Sequence, residues 1–442
     1  MTIALLAIAA VTVAATAGAG HRVTAGHVVT PDTLRTPSIR QAIQQVSAPT
    51  GTVRFTCQVT TPAGCYGPDQ MRAAYGTQSL LSAGFDGTGR TIVIIDAYGS
   101  PTLASDVALF DSVWGLPAAN VTVTAPFGID PTTPDNASGW AGETSLDVQW
   151  AHAIAPGAQI ALVVAKSNND SDILDATQYA VDHSLGDVVS QSFGEGEICM
   201  AASDLTRQHA LFQRAVQRGM TLFASSGDSG AGQPSCDGSD TLFKSTSSPA
   251  SDPNVTSVGG TTLHADGVTG AYQSETTWNE SALLGGPAAG GGGVSVFYHL
   301  PLYQLLAVRD SRMREVPDVS YNAAVLNGVI VAFGGRFFRF GGTSAGSPQW
   351  AAIIAIVDQL AHHRMGNINL ALYVLARLPA SANPFHDIAD GSNNSVTDDA
   401  GTAITGFTAV RGYDMATGLG TPNIGVIAPL LAKLPSNTSP TG

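Results

Sequence analysis

Between Arg90 and Gly227 the chain alternates short β-branched runs with stretches of helical character. That rhythm restricts the fold more than any other feature. The runs are RTIVIID (90–96), NVTVTAP (120–126), QIALVVAK (159–166), DVVSQSFG (187–194) and MTLFASSG (220–227), with helical pattern near 101–114, 139–154, 171–183 and 201–218. Strands alternating with helices predict an α/β fold: a mostly parallel sheet with helices on both faces, in a single large domain. A ligand then belongs in the crevice beyond the carboxyl ends of the strands.

The rest of the chain frames this unit. Residues 1–20, MTIALLAIAAVTVAATAGAG, read as a secretory signal ending in small residues, or as an anchor if left uncleaved. Residues 21–60 are Thr-, Pro- and Val-rich without a period and form a short leader; 61–435 form the folded domain, and 436–442 a tail. No later stretch reaches the ~20 apolar residues of a membrane span. Four cysteines in an exported chain suit two disulfides, Cys57–Cys65 and Cys199–Cys236 by proximity. No C-x-x-C or H-E-x-x-H spacing offers a zinc site. With 20 basic against 34 acidic residues, the net charge of −14 excludes the basic footprint of a nucleic-acid binder. A charge-poor acidic chain also suits a low-pH setting.

Within the segment AGETSLDVQW, Glu143 and Asp147 stand one helical turn apart, where like charges repel by a few tenths of a kcal/mol on an exposed helix. Stepping 100° per residue places Trp140, Leu146, Asp147, Trp150 and Ile154 within about 60° of Glu143. Thr144, Ser145, Val148, Gln149 and His152 fall on the far side. The carboxyls therefore occupy the most apolar stripe, the reverse of a solvated acidic face. Two such groups in a dry setting share a proton, with one pKa raised. A shared-proton pair is an acid/base device.

A base needs a group to act on. FGGTSAGSPQW places Ser344 at the head of an apolar helix (343–360), with Pro348 in its first turn. Thr343 or Ser344 could simply cap that helix. The alternative is a nucleophile on a glycine turn that lets substrate come close. FASSGDSGAG sets Asp228 just past a buried strand, on the same crevice rim. An aspartate there is usually a turn former, but a protonated one can donate to a developing oxyanion. Such a donor works only under acid conditions.

Together these residues resemble the sedolisin family, serine-carboxyl peptidases with a subtilisin-like fold. The E-x-x-x-D helix is Glu143/Asp147, the S-S-G-D-S-G loop carries Asp228, and GGTSAGSP carries Ser344. The likeness runs from CYGPDQMRAAYG to GLGTPNIG and includes VIIDAYGSP, HAIAPGA, VVSQSFGE, ETTWN and FHDIADGSN. It implies that Ser344 attacks the scissile carbonyl, that Glu143 takes its proton with Asp147 tuning it, and that Asp228 serves the oxyanion. It also implies that Ser192, Phe193 and Gly194 pair with the substrate backbone, with GGGGVS facing them across the cleft. One structural Ca²⁺ is implied at Asp387, Ile388, Val410, Gly412 and Asp414, where Val410 stands in place of a family glycine. The family usually carries a long, separately folded pro-segment; the residues between the signal and the match are too few for one, so either the chain does without it or the N-terminus is incomplete.

Three other readings compete. A subtilisin-type triad would use Asp96 or Asp147 with His152 and Ser344, but there is no H-G-T motif. GDSG could mark a trypsin-like nucleophile at Ser229, but that chemistry belongs to paired β-barrels. A non-catalytic peptide-binding protein should have lost one of the four catalytic groups. His362 and His363, at a helix end, read as dipole or surface residues. The expectation is a secreted, monomeric endopeptidase or tripeptidyl peptidase acting on polypeptides, with no nucleic-acid partner. Stable membrane association is expected only if the N-terminal segment is kept.

Overall fold

The apolar runs form one eight-stranded sheet in a computed structural model of the protein. It describes residues 55–441 except 61, 63, 131–133, 238 and 240, together with strands at 36–37 and 44–46. The strands are β1 (Thr91–Ala97), β2 (Asn120–Thr124), β3 (Gln159–Ala165), β4 (Val188–Gln191), β5 (Thr221–Ser225), β6 (Thr256–Ala265), β7 (Tyr272–Thr277) and β8 (Val319–Asn322). They lie in the order β7-β6-β5-β4-β1-β3-β2, with β8 also paired to β6. Every pairing is parallel except that of the edge strand β7 with β6.

Helices α1 (Leu103–Trp114), α2 (Pro134–Ile154), α3 (Asp170–Asp182) and α4 (Ala202–Gln217) make the crossovers, and α5 (Gly346–Ala361) follows later. The pleat of β1 sorts the two cores. Ile92 and Ile94 face α1, α2 and α5 through Phe110, Leu146, Trp150 and Ile353, whereas Val93 and Ile95 face α3 and α4 through Ile173, Leu174 and Phe212. The ends follow from local chemistry. Gly115 closes α1 at φ 66°, its N–H donating to Asp111 O. Helix α2 stops at Ile154, just before the Ala155–Pro156 step that disfavours helical backbone. Pro348 falls in the first turn of α5, where its missing N–H costs nothing, and His362 ends that helix at φ 60°. His363 lies against the carbonyls of Ala361 and Leu434.

The subtilisin-like α/β architecture read from the sequence is the observed one, with strand ends shifted by no more than three residues. The run 187–194 divides into β4 and a separate strand, Phe193–Gly196, that leaves the sheet. Both proximity-based disulfides, Cys57–Cys65 and Cys199–Cys236, are present. The side of helix α2 opposite the carboxyls is buried too. Thr144, Ser145, Gln149 and His152 are as buried as Glu143 and Asp147. Gln149 is matched by both backbone groups of Ala332, and Ser145 donates to Ala141 O. Among the described residues no helix is long and apolar enough to cross a membrane; the segment 1–20 lies outside them.

Candidate active site

Helix α2 carries Glu143 and Asp147 under the carboxyl end of β1, and both side chains are fully buried. The last polar residue of β1, Asp96, is equally buried and completes a row of three carboxyls. Burial, and next the neighbouring Asp147 and Asp96, hold Glu143 well above the usual carboxylate range; the Ser344 hydroxyl pulls it back. Asp147 is raised by burial, against the pull of Ser192 and Glu143. Asp96 is raised by burial and by Asp147, against the pull of Thr144. An ion this dry without a counter-charge costs several kcal/mol, so the row retains protons instead.

Ser344 sits in a single turn of 3₁₀ helix, Thr343–Ala345, that leads into α5. Gly342 enters that turn at φ 101°, a backbone open to glycine but strained for other residues. The Ser344 hydroxyl faces Glu143 closely enough to favour its ionised form. Its hydrogen bond of normal geometry, however, goes to Ser192 O at 3.3 Å, and Ser192 Oγ donates back to Ser344 O at 3.4 Å. The serine is thus clasped by the strand ahead of the carboxyls, and neither Glu143 oxygen accepts a bond of good geometry.

Asp228 stands in the loop after β5. Its Oδ1 accepts from Thr343 N and Thr343 Oγ1, both at 2.8 Å, which fixes the residue next to Ser344. The glycine-rich segment packs against this loop: Gly291 N donates to Gly227 O at 2.7 Å, and a Cβ on Gly291 would lie 2.0 Å from Ser226 O. Close backbone approach is what the run of glycines serves.

Strand Phe193–Gly196 lies beside the serine, with Trp140 against the Phe193 ring at 5.9 Å. One of its edges pairs with Ser247–Ser248. The other pairs antiparallel with the short strand Thr36–Pro37, Thr36 opposite Gly194 and Pro37 opposite Phe193. A second short strand of the leader, Gln44–Val46, pairs antiparallel with Arg336–Phe340, the strand that runs into the Ser344 turn. Sequence reasoning gave the leader no such place; two- and three-residue strands carry no readable period.

The structure brings Glu143, Asp147, Asp228, Ser344 and Ser192–Gly194 together. It does not bring His152. That ring lies 2.9 Å from Pro117 O and 3.3 Å from Asp111, on the side of α2 turned away from the carboxyls. Ser229 is buried in the Asp228 loop and bridges to Ala289. Asp96, considered above only as part of a histidine triad, belongs to the carboxyl row instead. Its place at the carboxyl end of an apolar strand was the available signal.

Asp387 and Asp414 converge on the loop 410–414. Both Asp387 oxygens accept from Gly412 N, at 3.1 and 3.0 Å, and Asp414 Oδ2 accepts from Val410 N at 3.0 Å. Asp414 Oδ1 accepts from Ala416 N and Thr417 N. Burial pushes Asp414 up to about 6, against the pull of the Val410, Thr417 and Ala416 backbone donors. Val410 does not need a positive φ, so a side chain there is compatible with a carbonyl ligand. Two carboxylates and three carbonyls fit a hard cation in kind. Among the described residues, no cluster of three or more His, Cys, Asp or Glu side chains could hold a metal.

Comparison with known proteins bears on the family and the fold. Residues 135–376 match the model of the subtilase family. The chain is 32% identical over 404 residues to xanthomonalisin of Xanthomonas sp. (strain T-22), covering 83% of this chain and 46% of that protein. It is 36% identical over 382 residues to kumamolisin of Bacillus sp. (strain MN-32), covering 84% and 64%. The chain thus spans about half to two-thirds of the length of these relatives. Among solved structures, Pseudomonas sedolisin, a serine-carboxyl proteinase complexed with two molecules of pseudo-iodotyrostatin, superposes with a TM-score of 0.73 at 28% identity. That match covers 83% of this chain and 98% of that one.

Proposed function

The chain belongs to the sedolisin family, on a subtilase-type domain, and from that premise we propose that it is an exported, acid-acting serine-carboxyl peptidase. The observation that carries the proposal is that Ser344 faces Glu143, not a histidine, inside a dry row of carboxyls. Ser344 Oγ attacks the scissile carbonyl carbon while its proton passes to Glu143. Asp147 and Asp96 share protons with Glu143 and set the pH at which it is free to accept one. Asp228, protonated, donates to the carbonyl oxygen as it becomes anionic. The tetrahedral centre then collapses, the C–N bond breaks, and the leaving amine takes the proton from Glu143. Water repeats the sequence on the acyl-enzyme.

Substrate lies along Ser192–Gly194 as an added antiparallel strand. The place that Thr36–Pro37 takes on that edge supports this reading and makes the leader a stand-in for substrate. Asp387 and Asp414, with the carbonyls of Ile388, Val410 and Gly412, would hold Ca²⁺; bound there, the ion would neutralise two carboxylates and brace the loop. Two disulfides suit the oxidising setting of an exported protein.

The test is cleavage of a denatured protein at pH ~4. Ser344→Ala and Glu143→Gln should each lower kcat/KM by at least about 10³ while thermal unfolding stays within a few degrees of the parent. Full activity in either variant would refute the assignment.

A further inference from the structure

Away from the carboxyl row, a cavity of about 720 Å³ opens between the segment 306–309, the end of the helix Asn369–Leu375 and the loop 411–413. Arg309, Arg377 and Arg411 line it together with His386. Its single carboxylate, Asp387, is turned onto Gly412 N through both oxygens. The arginines are exposed at this mouth. Among the described residues, Arg72, Arg90, Arg207, Arg218, Arg314 and Arg364 each have a carboxylate within ion-pair distance; seven arginines do not, and three of those seven line this one cavity. In a chain of net charge −14 with 20 basic residues, three unmatched guanidiniums around one concavity is a concentration of positive charge. Unpaired, they repel one another, a cost that a bound anion would relieve.

We propose that this cavity is an oxyanion-binding site for a phosphate- or sulfate-bearing ligand. The planar guanidinium fork matches tetrahedral oxyanions through paired N–H donors and stays charged at any working pH. Carboxylates lose their charge near pH ~4, whereas a phosphate ester retains one below its second pKa of about 6. Preferring phosphate and sulfate over carboxylate rests on the acid working range proposed above; the presence of the site does not.

Calorimetric titration of the intact chain with inorganic pyrophosphate, at fixed ionic strength and at both pH 5 and pH 7, reads the site directly. It is done in the Ser344→Ala background, so that binding is scored apart from peptidase activity. Saturable 1:1 binding should weaken at least tenfold in Arg309→Gln/Arg411→Gln. That pair leaves intact the bond from Arg377 Nη1 to Leu306 O at 2.7 Å. Should the double variant fail to fold, Arg411→Gln alone is read the same way. A phosphoserine peptide binding more tightly than pyrophosphate would place the phosphate on a polymer; equal or weaker binding would indicate a small anion. No saturable heat, or the same affinity in the variants as in the parent, would overturn the site. Succinate binding as well as pyrophosphate at pH 5 would overturn the choice of oxyanion.

Discussion

Three carboxyls buried side by side cannot all ionise, so on the proposed mechanism the protons they share decide when Ser344 has a base. Asp96 raises Glu143 through its charge, so removing that charge lowers Glu143, and the base becomes available at lower pH. Asp96→Asn should therefore move the acid limb of kcat/KM downward by about half to one pH unit, one unit being about 1.36 kcal/mol. A purely structural defect would scale the whole profile without moving its limb, and an upward shift would contradict the charge argument. Glu143 and Asp147 were legible beforehand because their coupling is local, one turn of a single helix. Ser344 and Asp228 were legible because each follows a glycine-marked turn. Asp96 was visible as a residue but not as a neighbour of Glu143. That contact exists only once β1 and α2 pack, and no spacing along the chain encodes it.

Among the elements, the buried parallel strands were readable because a strand covered on both faces must be apolar throughout, which the sequence advertises. The polar side of α2 is buried as well, which its composition does not advertise. Backbone groups of the 328–340 hairpin satisfy Gln149 inside the protein, so polarity there did not mean solvent. The leader strands gain meaning only from their partners. If Thr36–Pro37 holds the substrate edge, a synthetic peptide of residues 36–46, added to protein lacking residues 1–50, should raise the apparent KM and leave kcat unchanged. Inhibition that lowers kcat alone would place the peptide elsewhere. The 410–414 loop gives an independent test. Chelating calcium should lower the Tm of the parent by about 5 °C or more, on the scale of ~2–4 °C per kcal/mol, and should leave Asp387→Asn/Asp414→Asn unmoved. A parent insensitive to chelator would remove the ion from the account.

At the scale of the whole molecule, the buried acids bias the stability toward low pH. Burial holds Asp96, Glu143, Asp147, Glu275 and Asp358 above their ordinary values. Groups raised in the folded state bind more protons there than in the unfolded chain, so the stability they confer is complete below the unfolded value, near ~4, and is lost as pH rises through the folded values. Asp237 works the other way. Hydrogen bonds from Ser235 and Ser239 lower it to about 2, so its share is lost only as pH falls toward that value. The raised groups are buried and outnumber the lowered Asp237 and Asp398, and they set the trend: Tm should fall by roughly 5–10 °C between pH 5 and pH 8. Asp358 isolates the cause, since it lies in α5 with Oδ1 accepting from Met365 N at 2.8 Å and takes no part in the carboxyl row. Asp358→Asn keeps that acceptor and removes the charge. Scanning calorimetry in calcium-saturated buffer should find the variant close to the parent at pH 5 and more stable than it at pH 8. Parallel Tm curves for the two proteins, or a parent that gains stability toward pH 8, would mean that the interior acids do not govern the pH dependence of this fold.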